Sequence, residues 1–245
     1  MSLPGYPPLR AVMFDLDGTL VDSAPDLACA ANRMLAALGM AECDPALLST
    51  YIGKGIPRLV ERTLAGKLDG EADAALMARA LPLFEQFYGQ ESGRRTTLYP
   101  GVLEGLELLA REGLRLACVT NKAERFTHAL LAHMGLAHFF AVVVGGDTVA
   151  NKKPDPLPFR HACERLGVAP GEALVVGDSR NDVAGARAAG CPVICVPYGY
   201  NEGEAVEALD SDAIVASIVD AARMVIASRA VSAEAPERSG RAARA

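Results

Sequence analysis

Two carboxylates, Asp15 and Asp17, stand two residues apart where an apolar run ends, in the stretch AVMFDLDGTLVDS that begins at residue 11. Charge at the mouth of a buried strand is costly unless something compensates it. In extended chain the i, i+2 spacing turns both side chains the same way. Like charges that close repel unless one is protonated or a cation sits between them. Oxygen-only ligands select a hard ion, and Mg²⁺ is the one that keeps waters and takes a substrate phosphate among its ligands. Groups of matching chemistry follow along the chain. VTN closes a second apolar run with Thr120 and Asn121, NKKPDP carries Lys152 and Lys153, and GDSRND carries Asp178 and, one helical turn later, Asp182. Asp178 offers a further carboxylate and Asp182 a supporting one. Lys153 and the Thr120 hydroxyl are the groups expected to face a phosphate. Backbone amides around Leu16, Asp17 and Gly18 could add donors in the manner of an anion-binding nest.

The elements that must position these groups are legible as a pattern. Five short runs, 9–15, 114–120, 141–146, 173–178 and 193–196, are apolar almost throughout, as strands buried on both faces of a parallel sheet are. Helical patterns over 101–112, 122–135, 155–167 and 180–190 separate the later runs, each with a glycine at or near its end. This alternation predicts an α/β fold, a Rossmann-like parallel sheet with right-handed crossovers. Ligands bind such sheets outside the C-terminal strand ends, where Asp15, Thr120 and Asp178 fall. Residues 21–95 break the rhythm with Ala- and Leu-rich helical segments over 24–39, 56–66 and 71–90 and no strand. They are expected to form a helical domain inserted after the first strand. The expected division is a discontinuous core of 1–20 plus 96–228, a helical domain of 21–95, and a disordered tail of 229–245 without apolar period.

Composition narrows the function classes. The 245 residues are 51% hydrophobic and 22% charged with a net charge of −6, which suits one or two soluble domains and argues against a nucleic-acid partner, for which a basic face is needed. No apolar run approaches the roughly 18 residues that span a bilayer, and the first ten residues lack the apolar stretch of a secretion signal. Six cysteines have no framework spacing, so a reduced, cytoplasmic setting is expected. The sequence has no G-x-x-x-x-G-K-[ST], no GxGxxG after the first strand and no G-x-S-x-G. A calcium loop starting at Asp15 would need glycine at its sixth position, where Leu20 stands. The four histidines fall in or beside predicted helices, away from strand ends, and are not expected to act in catalysis.

In this order, DLDGT, VTN, KPDP and GDSRND resemble the four signature motifs of the haloacid dehalogenase superfamily, and the likeness runs from Arg10 to about Pro197. The insertion after the first motif looks like that superfamily's helical type-1 cap. FDLDGTLVDSAPDLA, VVVGGDTVANKKPDP, VGDSRND and YGYNEGE look more narrowly like its bacterial phosphoglycolate phosphatase branch. The resemblance implies a phosphatase in which Asp15 is the nucleophile and Asp17 the general acid and then base. It implies Mg²⁺ on the Asp15 carboxylate, the Asp17 backbone carbonyl and Asp178. Thr120 and Lys153 would hold the phosphoryl group, with Gly18, Asn121 and Asp182 in support. The implied partner is a small phosphorylated metabolite, 2-phosphoglycolate foremost; monomer and homodimer both stay open. In the cap, YIGKGIPR offers Gly53, Lys54, Gly55 and Arg58 to the substrate carboxylate. Lys54 departs from the usual Gly-Asn-Gly, which leaves the substrate less settled than the chemistry. Relatives acting on pyrophosphate, a nucleotide or a sugar phosphate, a phosphoglucomutase-like enzyme, and a silent binding module on the same fold are the alternatives.

Overall fold

The computed structural model describes residues 7–233. Residues 1–6 of the expected core and 234–245 of the expected tail lie outside them. Six parallel strands form the central sheet, in the order β5 (Val142–Val144), β4 (Arg115–Val119), β1 (Ala11–Phe14), β6 (Ala173–Gly177), β7 (Val193–Cys195) and β8 (Ala213–Ile214). β1 is central: Ala11 pairs with Arg115 on one side and Ala173 on the other. The chain leaves β1, builds outward through β4 and β5, then crosses to the other side for β6, β7 and β8. The order therefore reverses at β1, which opens a crevice at the C-terminal ends of β4, β1 and β6.

The strands are apolar on both sides because both sides are covered. Val12, Phe14, Leu116, Cys118, Leu174 and Val176 pack under α5 (Val102–Arg111), α6 (Glu124–His133) and α9 (Ile218–Ala233). Their alternates Ala11, Met13, Ala117, Val119, Ala173 and Val175 pack under α7 (Leu157–Leu166) and α8 (Arg180–Ala189). This is the three-layer α/β arrangement that the sequence pattern predicts. α5 turns Val102, Gly105, Leu106 and Leu109 inward at helical spacing. A methyl on Gly105 would come within 2.7 Å of the Ile218 backbone, so only glycine lets α9 lie this close.

Residues 21–95 fold mainly as α1 (Ala24–Ala37), α2 (Pro45–Thr50), α3 (Ile56–Ala65) and α4 (Ala74–Glu91). These helices share an apolar centre of their own, built from residues such as Leu27, Met34, Leu59, Val60, Phe84 and Tyr88, with Phe126 entering from α6. The turn of α2 is started by Asp44, whose carboxylate accepts from the Ala46 amide at 2.8 Å; six residues are too few to show a period. The expectation of no strand here needs correction. β2 (Val21–Asp22) pairs antiparallel with β3 (Thr97–Leu98), so the outgoing and returning segments form a two-stranded ribbon. Two chain segments side by side satisfy each other's backbone groups, a pairing invisible in two residues of sequence. Asp26, fully buried, ties the same junction: it accepts from the amides of Gly93, Arg95 and Thr96 and from the Thr96 hydroxyl at 2.6–3.0 Å.

The expected disordered tail also begins too early, because α9 runs through Ala233. Its buried face, Ile218, Ala221, Ala222 and Val225, lies before residue 229, so the helix outlasts its own apolar period. Arg229 is anchored by a 2.8 Å hydrogen bond to the Glu112 carbonyl.

Candidate active site

Asp15, Thr120 and Asp178 occupy equivalent places, each one residue beyond the end of its strand, β1, β4 and β6. The amides of Asp15 and Thr120 still bond across the sheet, to the Val176 and Val144 carbonyls at 3.0 and 2.9 Å. The side chains are thus aimed by rigid strands while the backbone is already turning away. Beyond β1 the chain turns sharply through Gly18 at φ +92°, and a methyl there would run into the Asp178 carboxylate. That glycine is required by both backbone and space.

Around this point lie four carboxylates and two ammonium groups. Lys153 Nζ donates to Asp182 Oδ1 at 2.6 Å and to the Val119 carbonyl at 2.7 Å. It also lies 2.9 Å from Asp15 Oδ1, off the direction of a hydrogen bond, so this buried oxygen of Asp15 has no hydrogen-bond partner. Asp178 accepts from the Thr19 hydroxyl at 2.7 Å and the Tyr200 amide at 2.6 Å. Asp182 is fully buried in the first turn of α8, where its second oxygen accepts from the Ser179 hydroxyl and amide. Asp17 accepts from the Ser23 hydroxyl at 2.6 Å, and both its oxygens lie within 2.9 Å of Lys122 Nζ.

Electrostatics of the cluster are unbalanced. Burial pushes the Asp15 carboxyl up from 3.8 to about 6, with Asp182 and Asp17 adding to the rise and Lys153 opposing it. Burial, then the charges of Asp15 and Asp182, holds Asp178 well above the usual carboxylate range. Burial works against the charge on Lys153 as well, but Asp15 and Asp182 outweigh it and keep the ammonium protonated more firmly than a free lysine. Four carboxylates against two ammoniums leave two negative charges in a buried place. Oxygen atoms of Asp15, Asp178 and Asp182 lie within 4.8 Å of one another. The donor set is all oxygen and its carboxylates outnumber the ammoniums beside them, so these residues fit Mg²⁺. Both oxygens of Asp178 and of Asp182 already accept hydrogen bonds, but Asp182 is paired with the Lys153 ammonium whereas the donors to Asp178 are neutral, so Asp15 and Asp178 are the side chains that would hold it.

The cavity above is lined by Asp15, Asp17, Thr120, Asn121 and Lys122 at the sheet's edge and by Leu27, Ile56 and Leu59 of the helices with Ile52, Gly53 and Gly55 of the loop between α2 and α3. Asn121 reaches across, donating to the carbonyls of Gly53 at 2.9 Å and Lys153 at 3.0 Å. It therefore joins the loop of the helical group to the Lys153 segment. The structure thus brings together Asp15, Asp17, Gly18, Thr120, Asn121, Lys153, Asp178 and Asp182, with Gly53 and Gly55 above them. It does not bring Lys54 or Arg58 to the cavity lining. Lys54 pairs with Glu202 at 3.1 Å. Arg58 is engaged by Glu61 and by the Leu68 and Gly70 carbonyls. None of the four histidines lines the cavity.

Sequence reasoning missed Lys122, Thr19 and Ser23. Thr19 lies inside the first motif and Lys122 directly follows Thr120-Asn121, so a lysine at a strand end was available as a signal, of the same kind that marks Lys153. Ser23 had none: it reaches Asp17 only because the ribbon at β2 turns it back.

Comparison with known proteins agrees with this geometry. A phosphoglycolate phosphatase of Nitrosospira multiformis is 56% identical over 89% of this chain and 96% of its own length. One of Thiobacillus denitrificans is 52% identical over the same shares. The crystal structure of a predicted phosphoglycolate phosphatase from Haemophilus somnus superposes with a TM-score of 0.84 at 34% identity, covering 90% of this chain and 99% of that one. The family model of haloacid dehalogenase-like hydrolases matches residues 12–196, a span that takes in Asp15, Thr120 and Asp178 at their strand ends. Sheet order, strand-end carboxylates and relatives all converge, and the chain belongs to the haloacid dehalogenase-like hydrolase family.

Proposed function

We propose that this protein is a Mg²⁺-dependent phosphatase that hydrolyses 2-phosphoglycolate to glycolate and inorganic phosphate through a phosphorylated Asp15. The observation that carries the reading is the condition of Asp15. It lines the cavity, and its buried Oδ1 lies 2.9 Å from the Lys153 ammonium. A carboxylate steadied through one oxygen in this way is placed to attack phosphorus with the other.

In the first half of the reaction an Asp15 oxygen bonds to phosphorus, the bond from phosphorus to the glycolate oxygen breaks, and that oxygen takes a proton from Asp17. In the second, Asp17 takes a proton back from a water that attacks the same phosphorus. The Asp15–phosphorus bond then breaks, phosphate leaves and both carboxyls are restored. Dividing one difficult displacement into two lowers each barrier, and a single carboxyl serves both proton transfers. Lys153 and Thr120 face the transferring phosphoryl oxygens, where a fixed positive charge is worth most. Asp15, Asp178 and the Asp17 carbonyl would hold Mg²⁺, which would supply further neutralisation of that charge.

The substrate assignment is supported by the names of the relatives and by the enclosed space between sheet and helices. In this reading α1–α4 act as a cap, with the division at 20/21 and 95/96. A small phosphorylated metabolite is the partner and the cytoplasm the setting, supported by six free cysteines. Among the described residues no helix is long and apolar enough to cross a membrane. A panel of phosphate esters assayed with Mg²⁺ tests the proposal. The highest kcat/KM is expected for 2-phosphoglycolate, with glycolate and phosphate formed in equal amounts. Turnover of pyrophosphate, a nucleotide or a sugar phosphate with 2-phosphoglycolate ignored would overturn the substrate; turnover insensitive to EDTA would overturn the metal.

A further inference from the structure

We propose that Lys122 selects the acidic leaving group: its ammonium, which rests on Asp17, receives the carboxylate of the substrate. The inference rests on the phosphatase reading above and concerns the part of the substrate that does not react. With the phosphoryl group at Asp15, Thr120 and Lys153, the ester oxygen faces Asp17. A carboxylate two bonds further on must then lie beside Asp17 or among Leu27, Ile52, Ile56 and Leu59, which form the apolar part of the lining. Placed among those four without a cation, it would carry a heavy desolvation cost.

Of the cations that border this region, Lys152 is exposed and brings its Nζ to 3.1 Å from where a Cβ on Gly55 would stand, outside the cavity lining; the others can be taken in turn. Lys54 is paired with Glu202 at 3.1 Å, and Arg62, buried, with the same carboxylate at 2.7 Å. Arg58 is held by Glu61 and two carbonyls. Lys153 is engaged with Asp182 and the Val119 carbonyl on the phosphoryl side. Lys122 is the one cation among the residues lining the cavity. Its side chain is 2% exposed, its Nζ lies 2.8 Å from Asp17 Oδ2, and it stands 4.9 Å from the ring centre of Tyr88 on α4. The ring faces the ammonium while the Tyr88 hydroxyl, fully buried, has no hydrogen-bond partner. Lys122 is therefore steadied from the helical side by a π-face, which tolerates a shift of the charge better than a fixed acceptor does. The substrate carboxylate is the same chemical group as the Asp17 side chain, so the ammonium can share between them without losing an ionic partner. An ester with an uncharged leaving group offers nothing to take the ammonium from Asp17.

The test compares 2-phosphoglycolate with ethyl phosphate, which keeps the ester and lacks the carboxylate, in wild type and in Lys122→Met. The expected result is a loss of kcat/KM at least about tenfold greater for 2-phosphoglycolate than for ethyl phosphate, the size of one charge-assisted hydrogen bond, and carried largely in KM. Lys122→Arg, which keeps the buried positive charge and so controls for any effect of Met on folding, is expected to retain most of the preference. Equal losses on both substrates, or loss of the preference in Lys122→Arg as complete as in Lys122→Met, would overturn the assignment. If wild type itself shows no preference for 2-phosphoglycolate, the substrate reading falls first, and the role of Lys122 with it.

Discussion

At Asp15 burial and charge pull in opposite directions. As the proposed nucleophile it must be ionised, yet its surroundings push its carboxyl up to about 6, burial being the main cause. The effect on stability has a definite sign. Below the usual carboxylate value of 3.8 both folded and unfolded chains hold the proton. As pH rises towards about 6 only the folded, metal-free protein still holds it, and the stabilisation from this group is lost through that window. Asp178 shifts in the same direction. Mg²⁺ favours the ionised forms, so its stabilisation should grow with pH. At about a hundred times its Kd it adds about 2.7 kcal/mol, or roughly 5–10 °C in Tm for a chain of this size. Thermal unfolding with and without Mg²⁺ should show that gain near neutral pH and much less near about pH 5. An equal shift at both values would contradict the placement of the ion on these carboxylates.

At the scale of elements, one residue fastens the helical group to the sheet. Asp26 opens α1 and gathers three backbone amides and a hydroxyl from the returning segment 93–96. Asp26→Ala strands those donors in a buried place and should lower stability by about 3 kcal/mol or more, measured by urea unfolding; a loss under about 1 kcal/mol would show that water or a neighbour replaces it. This residue was not legible beforehand, because its partners lie some seventy positions away and no spacing rule points to them. The strands were legible, since burial on both faces leaves an unbroken apolar run. Their reactive ends were read as part of the strand, whereas Asp15, Thr120 and Asp178 each begin the turn after it. The ribbon of β2 and β3 and the late end of α9 escaped for the opposite reason: neither leaves a periodic trace.

For the whole molecule, the sheet supplies the chemistry and the helical group supplies the enclosure, and they meet at a few named contacts. Asn121 and Asn181 both donate to the Gly53 carbonyl, at 2.9 and 3.3 Å. Lys54 and Arg62 both reach Glu202. The loop 51–58 was expected to recognise the substrate through Lys54 and Arg58. The structure gives Lys54 to the joint between the two parts and Arg58 to the helical group itself, and leaves Lys122 at the cavity. Charge type and position in the loop were readable from sequence; which partner each side chain would take was decided by folding. The central claim is that Asp15 carries the phosphoryl group. The most direct measurement is acid quenching of the enzyme during turnover of 2-phosphoglycolate with Mg²⁺, followed by mass spectrometry of the peptide containing residue 15. A phosphoryl adduct on Asp15, absent from Asp15→Asn, is the predicted result. Steady turnover by Asp15→Asn, or an adduct on any other residue, would contradict it.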